Sequence, residues 1–350
     1  MAGGYEVTPH SIPWQVAVVS KIKCKTVRCG GSLINSRNVI SAAHCVIDSK
    51  SPTCCYEACE MKPFETTTKQ CKKCLDENII WQTPDKLAVI LGQHQASCGA
   101  YCRFENIKTD GTNATVCSIS VHPSITNIRE FLSAHYSPDA LDNDFVILWL
   151  TNKITFDDKI SPVCLPTPNM GNEYLVGKVL TASGWGTGST KNGKYVLKAA
   201  KLFGVSNEIC AKPNLVETPY PSPNLSKNML CAGHPDQERS VCPGDSGGMF
   251  RRTKSICAKC VLSLIIIECL IFSKINILGP LTYDDKGRET LVGVISWNIK
   301  QYGGFDNGTH NEPCIKVNGT YDVFARVTAQ LEWIKMELEN IPKTCQTTPN

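Results

Sequence analysis

A chain of 350 residues with 36 basic and 32 acidic side chains carries a net charge of only +4, so no nucleic-acid or anionic-membrane partner is expected. At this length it can bury one large core or two smaller ones. The outlying feature is cysteine: twenty thiols are hard to keep reduced, and an oxidising, extracellular setting with a disulfide framework is the simpler account.

Met1-Ala2-Gly3-Gly4 leads straight into Tyr5-Glu6-Val7 without the basic and apolar regions of a signal peptide, which in so cysteine-rich a chain reads as a missing pre-sequence. Trp14–Val19 reads as a buried strand. Cys29–Ile34 reads as a second strand after a glycine turn, and Asn38–Ala43 as a third. His44-Cys45 follows; taken alone, His44 is more simply a packed core histidine than a catalytic one. Residues 46–86 form a polar, cysteine-dense insertion. Cys55, Cys59, Cys71 and Cys74 have a spacing that zinc can use, but disulfides are the preferred reading and no metal or other cofactor is expected.

Leu87–Gly92 resumes the strand pattern. Phe145–Leu150 is a continuous apolar run, preceded by Asp144, which alone reads as a turn residue. Residues 151–168 are polar and proline-bearing, as in a linker. Beyond it come further short strands at Lys178–Ser183, Lys198–Val205, Met229–Ala232 and Glu289–Trp297. Many short strands without βαβ spacing predict an all-β barrel or sandwich. Val327, Leu331, Ile334 and Leu338 share one helical face, and that helix ends before Pro342. No apolar stretch reaches the roughly 18 residues of a membrane span; Val261–Phe272 is too short and contains Glu268. Four Asn-x-Ser/Thr sequons, at Asn113, Asn224, Asn307 and Asn318, suit a secreted glycoprotein.

The chemistry is carried by Cys242-Pro243-Gly244-Asp245-Ser246-Gly247-Gly248. Glycines beside a serine permit a tight turn and let main-chain N–H groups converge on one point. A serine needs a histidine to take its proton, and that histidine needs a buried carboxylate to hold its tautomer. In chain order the candidates are His44 in Ala42-Ala43-His44-Cys45, Asp144 in Asn143-Asp144-Phe145-Val146, and Ser246.

That order and those flanks resemble the chymotrypsin/trypsin family of serine endopeptidases. Further matches are Gly3-Gly4-Tyr5-Glu6-Val7 with Pro13-Trp14-Gln15-Val16, Cys29-Gly30-Gly31-Ser32-Leu33-Ile34, Gly184-Trp185-Gly186, Ser296-Trp297 and Val323-Phe324-Ala325-Arg326-Val327. The resemblance implies one protease domain over 1–340, made of two packed antiparallel β-barrels. The first barrel spans about 12–150, the linker 151–168, the second barrel about 169–326 and a C-terminal helix 327–340, with a tail at 341–350. It implies Ser246 as nucleophile, His44 as base and Asp144 as its orienting acid. The N–H groups of Gly244 and Ser246 would form the oxyanion hole, and Asp245 would receive a freed N-terminal amine in a zymogen. Backbone from Ser296 through Trp297 to Asn298 would pair with extended substrate. Implied disulfides are Cys29–Cys45, Cys210–Cys231 and Cys242–Cys314; the pairing of Cys24, Cys54, Cys55, Cys59, Cys71, Cys74, Cys98, Cys102, Cys117, Cys164 and Cys345 is left open. Implied partners are peptide or protein substrates and protein protease inhibitors, the enzyme acting as a monomer.

Ser240, at the base of the implied primary pocket, favours aromatic or large apolar P1 residues. Asp322 stands where relatives have glycine; it is either a pocket-wall carboxylate that attracts Lys or Arg, or a solvent-facing loop residue. Asn298 also replaces a glycine. Three departures bear on activity: Met1-Ala2 replaces a branched apolar pair, the cysteine-rich block follows His44, and residues 250–278 separate Gly248 from Pro280. That last segment has the composition of translated A/T-rich non-coding sequence, a genuine insertion being the rival. A catalytically impaired homologue that binds partners is the alternative to an enzyme.

Overall fold

The computed structural model describes residues 4–22, 25–49, 79–96, 110–125, 141–186, 190–191, 194–212, 224–234, 279–298 and 321–346. In the first half the strands are β1 (Tyr5–Glu6), β2 (Gln15–Ile22), β3 (Lys25–Leu33), β4 (Asn38–Ser41), β5 (Ile47–Ser49), β6 (Ile79–Trp81), β7 (Leu87–Leu91), β8 (Gln95–Ala96), β9 (Thr112–Val121) and β10 (Val146–Leu150). Six of them close an antiparallel barrel in the order β10-β4-β3-β2-β7-β9. The continuous apolar runs Val16–Val19 and Phe145–Leu150 are buried throughout, as strands covered on both faces must be.

The second half contributes β11 (Val179–Gly184), β12 (Thr190–Lys191), β13 (Lys194–Val196), β14 (Lys198–Val205), β15 (Met229–Gly233), β16 (Pro280–Asp285), β17 (Arg288–Asn298) and β18 (Asp322–Arg326). Their order β14-β11-β16-β17-β18-β15 is closed by a β14–β15 pairing, so this too is a six-stranded antiparallel barrel. Among the described residues the helices are short: α1 (Asn172–Leu175), α2 (Asn207–Ala211) and α3 (Leu331–Glu339). Ser206 caps α2 by accepting from the Ile209 N–H at 3.3 Å.

Two sequence expectations are corrected locally. Cys29 does not open a strand after a glycine turn; β3 begins at Lys25, and Gly30 and Gly31 lie inside it. Gly31 is there because the β4 backbone crosses closely: a Cβ on it would sit 3.0 Å from Ile40 O. The third strand stops at Ser41, and Ala43–Val46 turns instead into a 3₁₀ helix that carries His44.

The barrels are locked to each other. β1 precedes the first barrel yet pairs with β14 of the second, Tyr5 opposite Ala199. Ser183 Oγ donates to Gln15 Oε1 at 2.6 Å, and Trp185 Nε1 donates to His94 O at 3.1 Å. The C-terminal helix starts later than its periodicity suggests, because Val327–Gln330 is a 3₁₀ turn. Its predicted face does reach the core: Val327 and Ile334 are buried, Leu331 and Leu338 pack beside them, and Trp333 is buried as well. After the helix, Cys345 is disulfide-bonded to Cys117 on β9, and Arg37 donates to Cys345 O at 3.1 Å and to Thr151 O at 3.0 Å. Among the described residues no helix is long and apolar enough to cross a membrane.

Candidate active site

His44 is placed by small residues and a disulfide. Ala42 and Ala43 are fully buried and let the turn pack close, Ser41 Oγ donates to Gly30 O at 2.8 Å, and Cys45 is bonded to Cys29 on β3. Asp144 immediately precedes Phe145 and β10, and β10 pairs with β4 with Val146 opposite Ser41. That register brings residues 44 and 144 together. Both are 0% exposed. Asp144 Oδ2 lies 2.7 Å from His44 Nδ1, and Oδ1 accepts from the His44 backbone N–H at 3.0 Å. The carboxylate therefore holds both the ring and the backbone of His44. With Nδ1–H donating to the carboxylate, Nε2 is the atom left for proton chemistry.

A third group comes from the other barrel. Ser296 Oγ donates to Asp144 Oδ2 at 2.7 Å. The register of β17 against β18 shifts between Ile295 and Trp297, so Ser296 sits in a bulge that aims its side chain away from the ladder. The sequence pointed to Ser296 only as substrate-pairing backbone; its hydroxyl contact with Asp144 was not foreseen, because a bulge has no signature in a run such as Val294-Ile295-Ser296-Trp297.

The residue before Asp144 has its own scaffold. Asn143 adopts φ of +52°, a left-handed conformation that Asn tolerates better than most residues. Its Oδ1 accepts from Gln330 Nε2 at 2.8 Å and Asn228 Nδ2 at 3.1 Å, and its Nδ2 donates to Ser124 O at 2.9 Å. His122 stands beside this group, edge-on to Trp333 with ring centroids 4.7 Å apart. Burial holds the His122 imidazole below its ordinary value near 6.5, against a hydrogen bond that the ring donates to the Gln330 side chain and the charges of Asp142 and Glu337.

Asp322 is 1% exposed and stands opposite Asn298 and Ala232 in the second barrel, which overturns the solvent-loop reading. The Cys29–Cys45 and Cys210–Cys231 bonds are present as expected, and Cys117–Cys345 joins two cysteines whose partners the sequence left open. Among the described residues Cys164 forms no disulfide. Ser240, Cys242, Gly244, Asp245, Ser246 and Cys314 lie outside the described residues, as do the cysteine-rich block with Cys55, Cys59, Cys71 and Cys74, and residues 250–278. Among the described residues no group of His, Cys, Asp and Glu is arranged to hold a metal.

Two closed antiparallel barrels, a buried His–Asp pair at their junction and a C-terminal helix define the serine-protease class of two-barrel proteins. The chain belongs to the trypsin family: the Trypsin family model matches residues 1–95 and 111–261. It is 26% identical to the clotting factor G beta subunit of Tachypleus tridentatus over 338 residues, 95% of this chain and 78% of that protein. It is 27% identical to the proclotting enzyme of the same species over 249 residues, 70% of this chain and 53% of that protein. It is 25% identical to ovochymase-2 of Mus musculus over 341 residues, 97% of this chain but 41% of that protein.

Proposed function

We propose that this chain is a secreted serine endopeptidase made as a zymogen, acting through His44, Asp144 and Ser246. Ser246 Oγ attacks the scissile carbonyl carbon while His44 Nε2 takes its proton. The oxyanion is received by the N–H groups of Gly244 and Ser246. His44 then gives the proton to the leaving amine, leaving an acyl-enzyme. Water attacks the ester with His44 again as base, which releases the acid and regenerates the serine. Asp144 holds the imidazole and stabilises its cation without taking the proton. Asp245 pairs with the amine freed on activation.

The observation that carries this reading is the buried 2.7 Å contact between His44 Nδ1 and Asp144 Oδ2. Burying a carboxylate and an imidazole this deeply is costly, and a packed core histidine has no need of it. The disulfides support an extracellular setting. For specificity, Ser240 favours large apolar or aromatic P1 residues, and the buried Asp322 carboxylate adds acceptance of Lys or Arg.

A second reading, a binding homologue without turnover, is favoured by one observation. β16 resumes at Pro280, while the preceding part of the motif ends at Gly248, so about thirty residues stand between segments that the resemblance makes contiguous. Hydrolysis of a peptide panel varied at P1, with Ser246→Ala as control and Asp322→Gly beside it, separates the two. Ser246-dependent cleavage supports the enzyme, with basic P1 turnover lost in Asp322→Gly; no cleavage by the correctly disulfide-bonded chain supports the binding protein.

A further inference from the structure

Asn143 is the point where three separate elements meet behind Asp144. Gln330 reaches it from the 3₁₀ turn that opens the C-terminal helix, and Asn228 from the approach to β15. Ser124, whose N–H donates to His122 Nδ1 at 3.2 Å, receives the Asn143 amide. Asn228 Nδ2 also donates to Asp142 Oδ2 at 3.3 Å, and Asn143 O accepts from the Phe145 N–H at 2.7 Å. Asp144 is thus bracketed on both sides by fixed backbone. The Asn143 side-chain oxygen takes two donors from the second barrel and the C-terminal segment, although Asn143 belongs to the first-barrel connection.

We infer that Asn143 is a positioning residue: with Gln330 and Asn228 it forms an interbarrel clasp that sets the Asp144 carboxylate against His44, so that the C-terminal helix controls the geometry of the pair. The clasp has a physical reason to exist. Asp144 follows directly on Asn143 in the chain, and Ser296 holds its Oδ2 from the second barrel. A left-handed residue at 143 turns the chain so that 142 and 144 point apart, one toward Asn228 and the other toward His44. A side chain with one acceptor oxygen and one amide donor is what this junction requires, and Asn supplies both.

The inference rests on reading His44–Asp144 as the reacting pair, but its test needs no turnover. The exchange rate of the His44 Nδ1–H proton, read by NMR in the full chain, reports the Asp144 contact. Asn143→Gly keeps the left-handed backbone while removing the side chain, and Gln330→Leu removes one donor while keeping volume. Both raise that exchange rate about tenfold, the change that ~1.4 kcal/mol of lost restraint produces. Backbone amides of β2 and β14 keep their protection, and the double variant falls short of the product of the two single effects, since both remove the Gln330–Asn143 bond. An Nδ1–H exchange rate unchanged in both single variants, or one raised only together with all barrel amides, overturns the clasp. Where Asn143→Gly fails to fold, Gln330→Leu and Asn228→Ala carry the same test.

Discussion

Ser296, on the second barrel, donates its hydroxyl to Asp144, on the first, at 2.7 Å, so the acid that orients His44 is itself held from across the barrel junction. Ser296→Ala leaves Oδ2 with one fewer donor at a fully buried carboxylate. A hydrogen bond to a charged group contributes about 1.5–3 kcal/mol. The variant is expected to unfold at lower denaturant by that amount and to lose about tenfold in kcat/KM, mostly in kcat. Denaturant titration and steady-state kinetics check both.

The depressed His122 imidazole sets a pH dependence. Burial favours its neutral form in the folded chain, so the unfolded chain binds the proton more readily. Stability is therefore fully present above the unfolded value near 6.5 and is lost as pH falls through the lower folded value. His122→Phe, which keeps the ring against Trp333, flattens this acid loss; melting curves from pH 7.5 to 4.5 measure it. An unchanged slope removes His122 from the account.

The Cys117–Cys345 bond closes a span of 228 residues and ties the chain beyond α3 to β9. Replacing both cysteines by serine is expected to cost about 2–4 kcal/mol by releasing the unfolded chain. Because the bond also anchors the helix that follows Gln330, protection of α3 amides falls before that of β2; hydrogen exchange resolved by residue distinguishes the two.

Gly279 faces the β11 backbone, where an added Cβ would collide with the carbonyl oxygen of Ser183. Gly279→Ala is expected to cost about 3 kcal/mol. Gly287, with φ of +85° and open space around it, costs only the strain of its conformation, about 1–2 kcal/mol. This close-packed site makes Gly279 the glycine that must precede Pro280. Deleting residues 248–278 joins Gly247 to Gly279 and restores Ser-Gly-Gly-Pro; that chain is expected to fold at least as stably as the full one and to hydrolyse substrate faster. A deletion variant that cannot fold shows the segment to be integral.

Much of the barrel framework was legible in the sequence, because continuous apolar runs such as Phe145–Leu150 need burial on both faces wherever they lie. His44 and Asp144 were found through their flanks: small residues before the histidine, an apolar strand after the aspartate. What was not legible is long-range. Gln330 and Asn143 are 187 positions apart, the Cys117–Cys345 pairing is one among many that twenty cysteines allow, and the Ser296 bulge depends on which strand lies beside it. The strand ahead of Cys29 was missed because its residues Lys25–Arg28 lack the apolar pattern of a buried strand.

The central claim is that His44 and Asp144 serve a nucleophile at Ser246, and active-site labelling tests it most directly. The chain, with Met1→Ile and Ala2→Val and a removable leader that frees the amine of residue 1, is treated with a serine-directed phosphonate and the adduct is mapped by mass spectrometry. The account predicts stoichiometric modification of Ser246, abolished in Ser246→Ala and slowed at least about a hundredfold in His44→Ala. A correctly disulfide-bonded chain that takes no label, or takes it equally well without His44, contradicts it.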